Sequence, residues 1–401
     1  MWKHSFIVIL TCLFFLFGVG FAIQTSTFNA PDERGHYLYV QYVHETGLLP
    51  VLSADSPNKE AHQPPLYYWL SQPVFSLTQH WSERAQVLAL RFWSLILSSG
   101  VVLLTYAAIR RLLPTRRLLA YLATVFVALN PQFLFMSSVI NNDALTNLLG
   151  AAWVFAIVFL FTRQSVLLKK STNVWMVLLA AAMFLTKASL WPLVALLGLV
   201  HFFRVPISER KRVALYWIPA LLIMLWWLTR NTLIYGDPTV HQVQHDLWYA
   251  EQHRNFLSPS GVWQWLVTLV ESFWARFAYF NIALPGIFYL FIKLGLMMGA
   301  IGFLRYTFQH WSEKWQPRMQ AIWILCLGAL SVFVGVFWYS LSFYQPQGRY
   351  LFAVLPVFSA LLSLGLLVWL PKKLQWLVFA LIVVALVLAD VKSYALLSKY
   401  G

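Results

Sequence analysis

Apolar stretches of bilayer-crossing length alternate along this chain with short polar connections. They cover 5–24, 85–109, 118–136, 144–161, 213–228, 286–304, 321–339, 351–370 and 375–389. A helix of about 18–22 apolar residues crosses a hydrocarbon core of roughly 30 Å. A further apolar stretch, 174–203, is interrupted by Thr186-Lys187-Ala188-Ser189. It is too long for one ordinary helix and short for two, so the pattern predicts a tight or partly re-entrant hairpin. Lys3 and His4 precede the first run, but that run is too long for a signal peptide and no small-x-small cleavage site follows it. The expected fold is an all-α polytopic membrane protein: one transmembrane domain over 1–401 with about eleven spans and no C-terminal soluble domain.

Two connections are long, 25–84 and 230–285. Within the first, Asp32, His36 and the Tyr39–Val40 step recur at helical spacing, with Pro31 suited to the first turn and Gly47 and Pro50 to the end. A second amphipathic piece over 66–77, rich in Tyr, Trp and Phe, has the composition of a helix lying in the membrane interface. The second connection reads as a long polar and aromatic loop.

Composition narrows the class. Only 11% of residues are charged and 60% are hydrophobic, which excludes a soluble protein. The net charge of +15 is scattered over short loops with no basic tail, so it argues for loop orientation and anionic lipid or phosphate, and no nucleic acid partner is expected. Cys12 and Cys326 both lie in apolar runs, which excludes a disulfide framework and a thiolate metal cluster. Connections at 110–117, 163–170, 204–212, 305–318 and 372–373 are short and basic, hence cytoplasmic; those at 25–84, 137–143, 230–285 and 340–350 then face outward. The clustered acids all fall on that outer face, and the 25–84 loop holds the densest group.

The motifs in order are P-D-E-x-x-H after the first span, H-Q-P-P-L-Y-Y later in that loop, N-N-D-A-L, T-K at the hairpin tip, and Q-G-R-Y-L-F-A-V-L-P near the end. This ordered set, over nearly the whole chain, resembles the GT-C membrane glycosyltransferases. The branch it is most similar to comprises the protein O-mannosyltransferases and aminoarabinose transferases, which use polyprenyl-phosphate sugars. The resemblance implies a GT-C bundle in the cell membrane with its active site on the extracytoplasmic face. It implies a hexosyl- or pentosyltransferase that moves a sugar from a polyprenyl-phosphate donor to an envelope glycan, lipid or protein acceptor.

That chemistry needs a base for the acceptor nucleophile and cations for the phosphate leaving side. Asp32, at the outer membrane surface, is the expected general base; its alternative is a helix N-terminal acid that favours the dipole. Glu33, which could orient Asp32 or bind acceptor, and Asp143, beside Asn141 and Asn142, complete the catalytic set, against the alternatives of a solvated neighbour and an ordinary interfacial turn. Lys187 is a cation at an outer tip, and Arg349 is an outer arginine before a helix; both suit a phosphate. Tyr350, His62, Tyr67 and Tyr68 are the remaining substrate-binding candidates, although tyrosines placed like Tyr67 and Tyr68 more often form an interfacial belt than a sugar platform. The residues single out no cofactor with certainty. A divalent metal ion stays an open alternative, with Glu33, His36 and His62 as candidate ligands, against hydrogen-bonded histidines. Arg91 and Lys293, cations inside spans, suit a phosphate contact and bundle-facing ion pairs equally. The competing functions are a transporter or flippase of a lipid-linked or anionic solute, disfavoured by charge at the surface rather than the midplane, and a metallohydrolase, which lacks H-E-x-x-H.

Overall fold

The computed structural model describes residues 5–163, 167–247, 256–278 and 280–400. Apolar runs become helices because hydrocarbon offers the backbone no other hydrogen-bond partner. The chain begins with α1 (Ser5–Gln24), then α2 (Glu33–Thr46) and α3 (Leu66–Thr78) of the first loop, and α4 (Glu83–Leu112). Gly47, in a left-handed conformation, ends α2 with its N–H on the Val43 carbonyl.

The third apolar run is not one straight helix. It divides into α5 (Arg117–Ala128) and α6 (Pro131–Ser137), bent by 57°. Pro131 cannot continue α5, and Asn130 caps the new helix by accepting from the Phe133 N–H at 2.9 Å. Next come α7 (Asp143–Thr162), and α8 (Lys170–Phe184) with α9 (Trp191–Arg204), which form the expected hairpin with Lys187 at its tip.

The 230–285 connection holds more structure than its composition predicts. It follows α10 (Arg210–Tyr235) and contains α11 (His241–Leu247), α12 (Pro259–Ala275) and a two-stranded antiparallel turn, β1 (Arg276–Phe277) and β2 (Ile282–Ala283). The Ser258 hydroxyl caps α12 from the Gly261 N–H at 3.1 Å, with Pro259 at its first position. The remaining helices are α13 (Gly286–Gln309), α14 (Pro317–Ser342), α15 (Leu355–Val368) and α16 (Lys372–Tyr400), and a 3₁₀ turn over Gly348–Val354 leads into α15.

Among the described residues, eight helices are long and apolar enough to cross a membrane, or nine with α5–α6 as one bent span. A count of eleven needs α8 and α9 as two more spans, and they have only 15 and 14 residues. The protein is a multi-pass membrane protein. Its central column is α7, with 72% of its spanning window buried, against 17% for α10, α13 and α16, each of which leaves several leucines exposed. α4 packs along α7 and α1, and α13 along α15. The last pair approaches so closely that a Cβ on Gly365 would meet the Gly299 backbone, the small-residue contact typical of membrane helices.

Candidate active site

Two adjacent acids at the start of α2 meet different surroundings, because Glu33 is the first helical residue while Asp32 before it is an N-cap with a left-handed backbone. Glu33 points inward. Arg91 of α4 donates to it from Nε at 2.8 Å and Nη2 at 2.7 Å, and the backbone N–H groups of Phe28 and Ile140 add donors at 3.2 and 3.0 Å. Arg91 also donates to the carbonyls of Ala22, Thr25 and Ser26, which closes the end of α1. Glu33 is wholly buried in this fork. The sequence puts it among the catalytic and metal-binding candidates; in the structure both of its oxygens are engaged by protein donors, the arrangement of a structural ion pair.

Asp32 faces outward. Its Oδ2 accepts from Arg349 Nη2 at 2.5 Å. Arg349 sits on the 3₁₀ turn before α15, where the Gly348 N–H donates to Ser272 Oγ of α12 at 2.9 Å. A Cβ at Gly348 would run into the Phe273 backbone, so only glycine brings the turn this close. Asp143 opens α7 and accepts from Lys187 Nζ at 2.5 Å. The Tyr350 ring lies between the two pairs, 5.5 Å from Lys187 Nζ and 5.2 Å from the Arg349 guanidinium.

A hydrogen-bonded chain extends the cluster. Lys187 Nζ donates to Asn142 Oδ1 at 3.3 Å, Asn142 Nδ2 to Gln63 Oε1 at 3.2 Å, and Gln63 Nε2 to Glu60 Oε2 at 3.4 Å. Burial pushes Asp32 up, but Arg349, His36 and Lys187 outweigh it and hold the carboxyl below its usual range. Burial lifts Glu60, against the pull of His36 and with the push of Asp32. Two nearby carboxyls are thus driven apart, the pattern that separates proton donors from acceptors in active sites.

A cavity of about 170 Å³ opens beside the Asp32–Arg349 pair, lined also by Gln132, Arg276, Gln345 and Gln347. Arg349 Nε and Nη1 and Asp143 Oδ2 are buried and have no hydrogen-bond partner among the described residues. A planar guanidinium with two N–H-bearing nitrogens to offer, beside a polar cavity, suits an anionic oxygen group.

Of the other candidates, His62 lies on the Glu60 side. Its Nδ1 meets the Lys59 carbonyl at 3.2 Å, its Nε2 accepts from Gln63 at 2.9 Å, and burial pushes it down to about 4. His36 is buried with Nδ1 on the Tyr68 hydroxyl at 2.8 Å, and burial lowers it too. Tyr67 and Tyr68 offer no face to a sugar. Both are fully buried, Tyr67 against Ser94 at 2.9 Å and Tyr68 stacked on Tyr39 at 3.5 Å. Among the described residues no three His, Cys, Asp or Glu side chains are grouped to hold a metal ion, and the Glu33–His36–His62 set in particular does not fit one. Sequence reasoning missed Glu60, Gln63 and Arg276 as neighbours of the site. The short Glu60-Ala61-His62-Gln63 run, which puts an acid and an amide one helical turn apart, was the available signal for the first two.

No protein-family model and no curated protein sequence matches the chain. Solved structures do. The oligosaccharyltransferase of Archaeoglobus fulgidus in its apo form matches over 99% of this chain at 13% identity and a TM-score of 0.57. The same archaeal enzyme, AglB, in complex with an inhibitory peptide and a dolichol-phosphate, matches over 100% at 12% and 0.54. ArnT from Cupriavidus metallidurans, bound to undecaprenyl phosphate, matches over 95% at 15% and 0.50. The chain spans 56% of the archaeal chains and 64% of ArnT. The fold of this chain is the GT-C fold of these membrane glycosyltransferases.

Proposed function

We propose that the protein transfers a sugar from a polyprenyl-phosphate donor to a hydroxyl or amine of an envelope glycan, lipid or protein acceptor on the extracytoplasmic face. The observation that carries this reading is the meeting of Asp32–Arg349 with Asp143–Lys187, two acid–base pairs from four separate segments, around Tyr350. The positive-inside pattern supports an outward orientation for this end, with 25–84 and 230–285 as the extracytoplasmic loops. The resemblance in fold to an oligosaccharyltransferase and to ArnT, with bound dolichol-phosphate and undecaprenyl phosphate in those proteins, supports a polyprenyl-linked donor.

In this reading the acceptor oxygen or nitrogen forms a bond to the anomeric carbon, and the bond from that carbon to the phosphate oxygen breaks. The electron pair leaves with the polyprenyl phosphate. Arg349 neutralises the phosphate, with Lys187 as the second cation at the cluster, and the acceptor proton passes to Asp32 as general base. Asp32 is suited to stay ionised at neutral pH because Arg349 holds its carboxyl low. Asp143 keeps Lys187 at the cluster. The test is single-turnover transfer from a polyprenyl-phosphate sugar in nanodiscs, with comparison of envelope glycans and donor pools with and without the gene. Absence of transfer from every hexosyl and pentosyl donor tried, with donor pools unchanged by loss of the gene, would overturn it.

A further inference from the structure

The two residues that the transfer reaction needs apart are bonded to each other. Arg349 is the fixed member: its side chain is 4% exposed, and its turn is locked by Gly348 against Ser272 and Phe273. Asp32 is the loose member. Its side chain is 42% exposed, and its backbone lies in the left-handed region at φ 63°, which a non-glycine residue seldom occupies. It stands at the N-cap of α2 yet makes no side-chain capping bond, although an aspartate there ordinarily accepts from the first-turn N–H groups. Its carboxylate bonds Arg349 instead of its own helix.

Only Nη2 of the guanidinium reaches Asp32, and Nε and Nη1 are buried without partners among the described residues. A phosphate that takes those two positions brings a second anion to one cation. Lys187 shares its charge with Asp143 and offsets only part of the excess. Two anions in a partly buried site repel strongly, so one must leave.

We propose that the donor phosphate and Asp32 compete for Arg349, so that donor binding releases Asp32 from the pair. This rests on the transfer reaction proposed above. Arg349 is then a positioning residue for the base as well as a phosphate contact. It holds Asp32 away from the acceptor until a donor is bound, and donor binding comes first. Departure of the polyprenyl phosphate lets Asp32 return, which resets the site.

The competition has a signature that a structural role for Asp32 does not share. Removal of its charge should tighten phosphate binding. The measurement is the affinity of a short-chain polyprenyl phosphate for the full chain in nanodiscs, with neutral polyprenol and inorganic phosphate as separate probes. Asp32→Asn is expected to bind polyprenyl phosphate about fivefold more tightly than the natural protein, the worth of one modest ion pair. Polyprenol binding should not change, and the gain should vanish in Arg349→Ala. Asp32→Gly suits the positive φ and serves as the second variant where the asparagine fails to fold. Unchanged or weaker polyprenyl phosphate binding in both variants overturns the competition alone. Failure of the natural protein to bind polyprenyl phosphate or to transfer sugar overturns the transfer reading with it.

Discussion

Arg91 grips both oxygens of Glu33 in a fully buried fork, at 2.8 and 2.7 Å, and that grip fixes where α2 begins. The pair joins the second span to the first loop and, through the Arg91 bonds to Ala22, Thr25 and Ser26, to the end of α1. Everything that presents Asp32 to the outside hangs on it.

Glu33→Gln should therefore damage the fold before the chemistry. It leaves a buried guanidinium without its counter-charge, which typically costs about 3–5 kcal/mol. Arg91→Ala should cost at least as much, since three carbonyls lose their donor as well. Thermal unfolding in detergent checks both. A Glu33→Gln protein as stable as the natural one and impaired only in turnover would return Glu33 to the catalytic set.

The orientation predicts a labelling pattern. Ser260, exposed in the first turn of α12, and Ser208, exposed in the turn before α10, should lie on opposite sides. A cysteine at Ser260 should react with an impermeant thiol reagent in intact cells, and one at Ser208 should react only after permeabilisation. The reverse pattern would move the Asp32–Arg349 cluster to the cytoplasmic face.

His62 predicts how stability responds to acid. Burial holds its folded value at about 4 against 6.5 for a free imidazole, with Glu60, Asp32 and Lys187 as its charged neighbours. Between those values the unfolded chain binds a proton that the folded one refuses. The contribution is whole above about pH 6.5 and is lost as pH falls towards 4. Glu60, whose folded value is raised, contributes in the opposite sense at the acid end. His62→Gln removes the first effect only, so its melting temperature should fall less between pH 7 and 4.5 than that of the natural protein. Equal slopes would remove His62 from the account.

The membrane architecture was legible because hydrocarbon leaves few options: an apolar run of sufficient length becomes a helix. The bend at Asn130-Pro131 and the capped start of α12 at Ser258-Pro259 also have local signals, but mixed Trp, Ser and Thr content conceals α12 within a loop-like stretch. The site divides differently. Asp32, Asp143, Lys187 and Arg349 stand out singly as charges in an apolar protein, whereas their pairing does not, since Asp32 and Arg349 are 317 residues apart. Which of two adjacent acids faces outward depends on Arg91, a cation the sequence left between several roles. The Tyr67–Tyr68 pair misleads for a related reason: tyrosine suits an interface, a sugar face and a hydrogen-bonded core alike, and only packing selects the core.

Arg349→Lys should already impair donor binding. The planar fork offers several N–H groups to phosphate and aspartate, while an ammonium on a flexible stem offers a point charge. Loss of one charge-assisted contact costs about 1.5–3 kcal/mol, or roughly ten- to a hundredfold in affinity. Lys187→Ala should weaken donor binding less, because its nearest bond is to Asp143. Equilibrium binding of a polyprenyl-phosphate sugar checks the order, and a larger effect at Lys187 would move the phosphate to the Asp143 side.

Asp32→Asn decides whether the outward acid is the base. Asparagine keeps the shape of the side chain and an oxygen for Arg349, but takes no proton at neutral pH. With donor bound, single-turnover sugar transfer should fall by about 10²–10⁴-fold, the range for a lost acid–base group. Donor affinity should rise, so the fall cannot come from a lost substrate. Asp143→Asn should behave otherwise: it frees Lys187 from its ion pair, so the change should show in donor binding more than in the rate of the bound complex. Parallel binding and single-turnover measurements on the two variants separate the roles. Transfer at the natural rate by Asp32→Asn would remove Asp32 from proton transfer and leave Glu60 and Asp143 as the carboxyls to test.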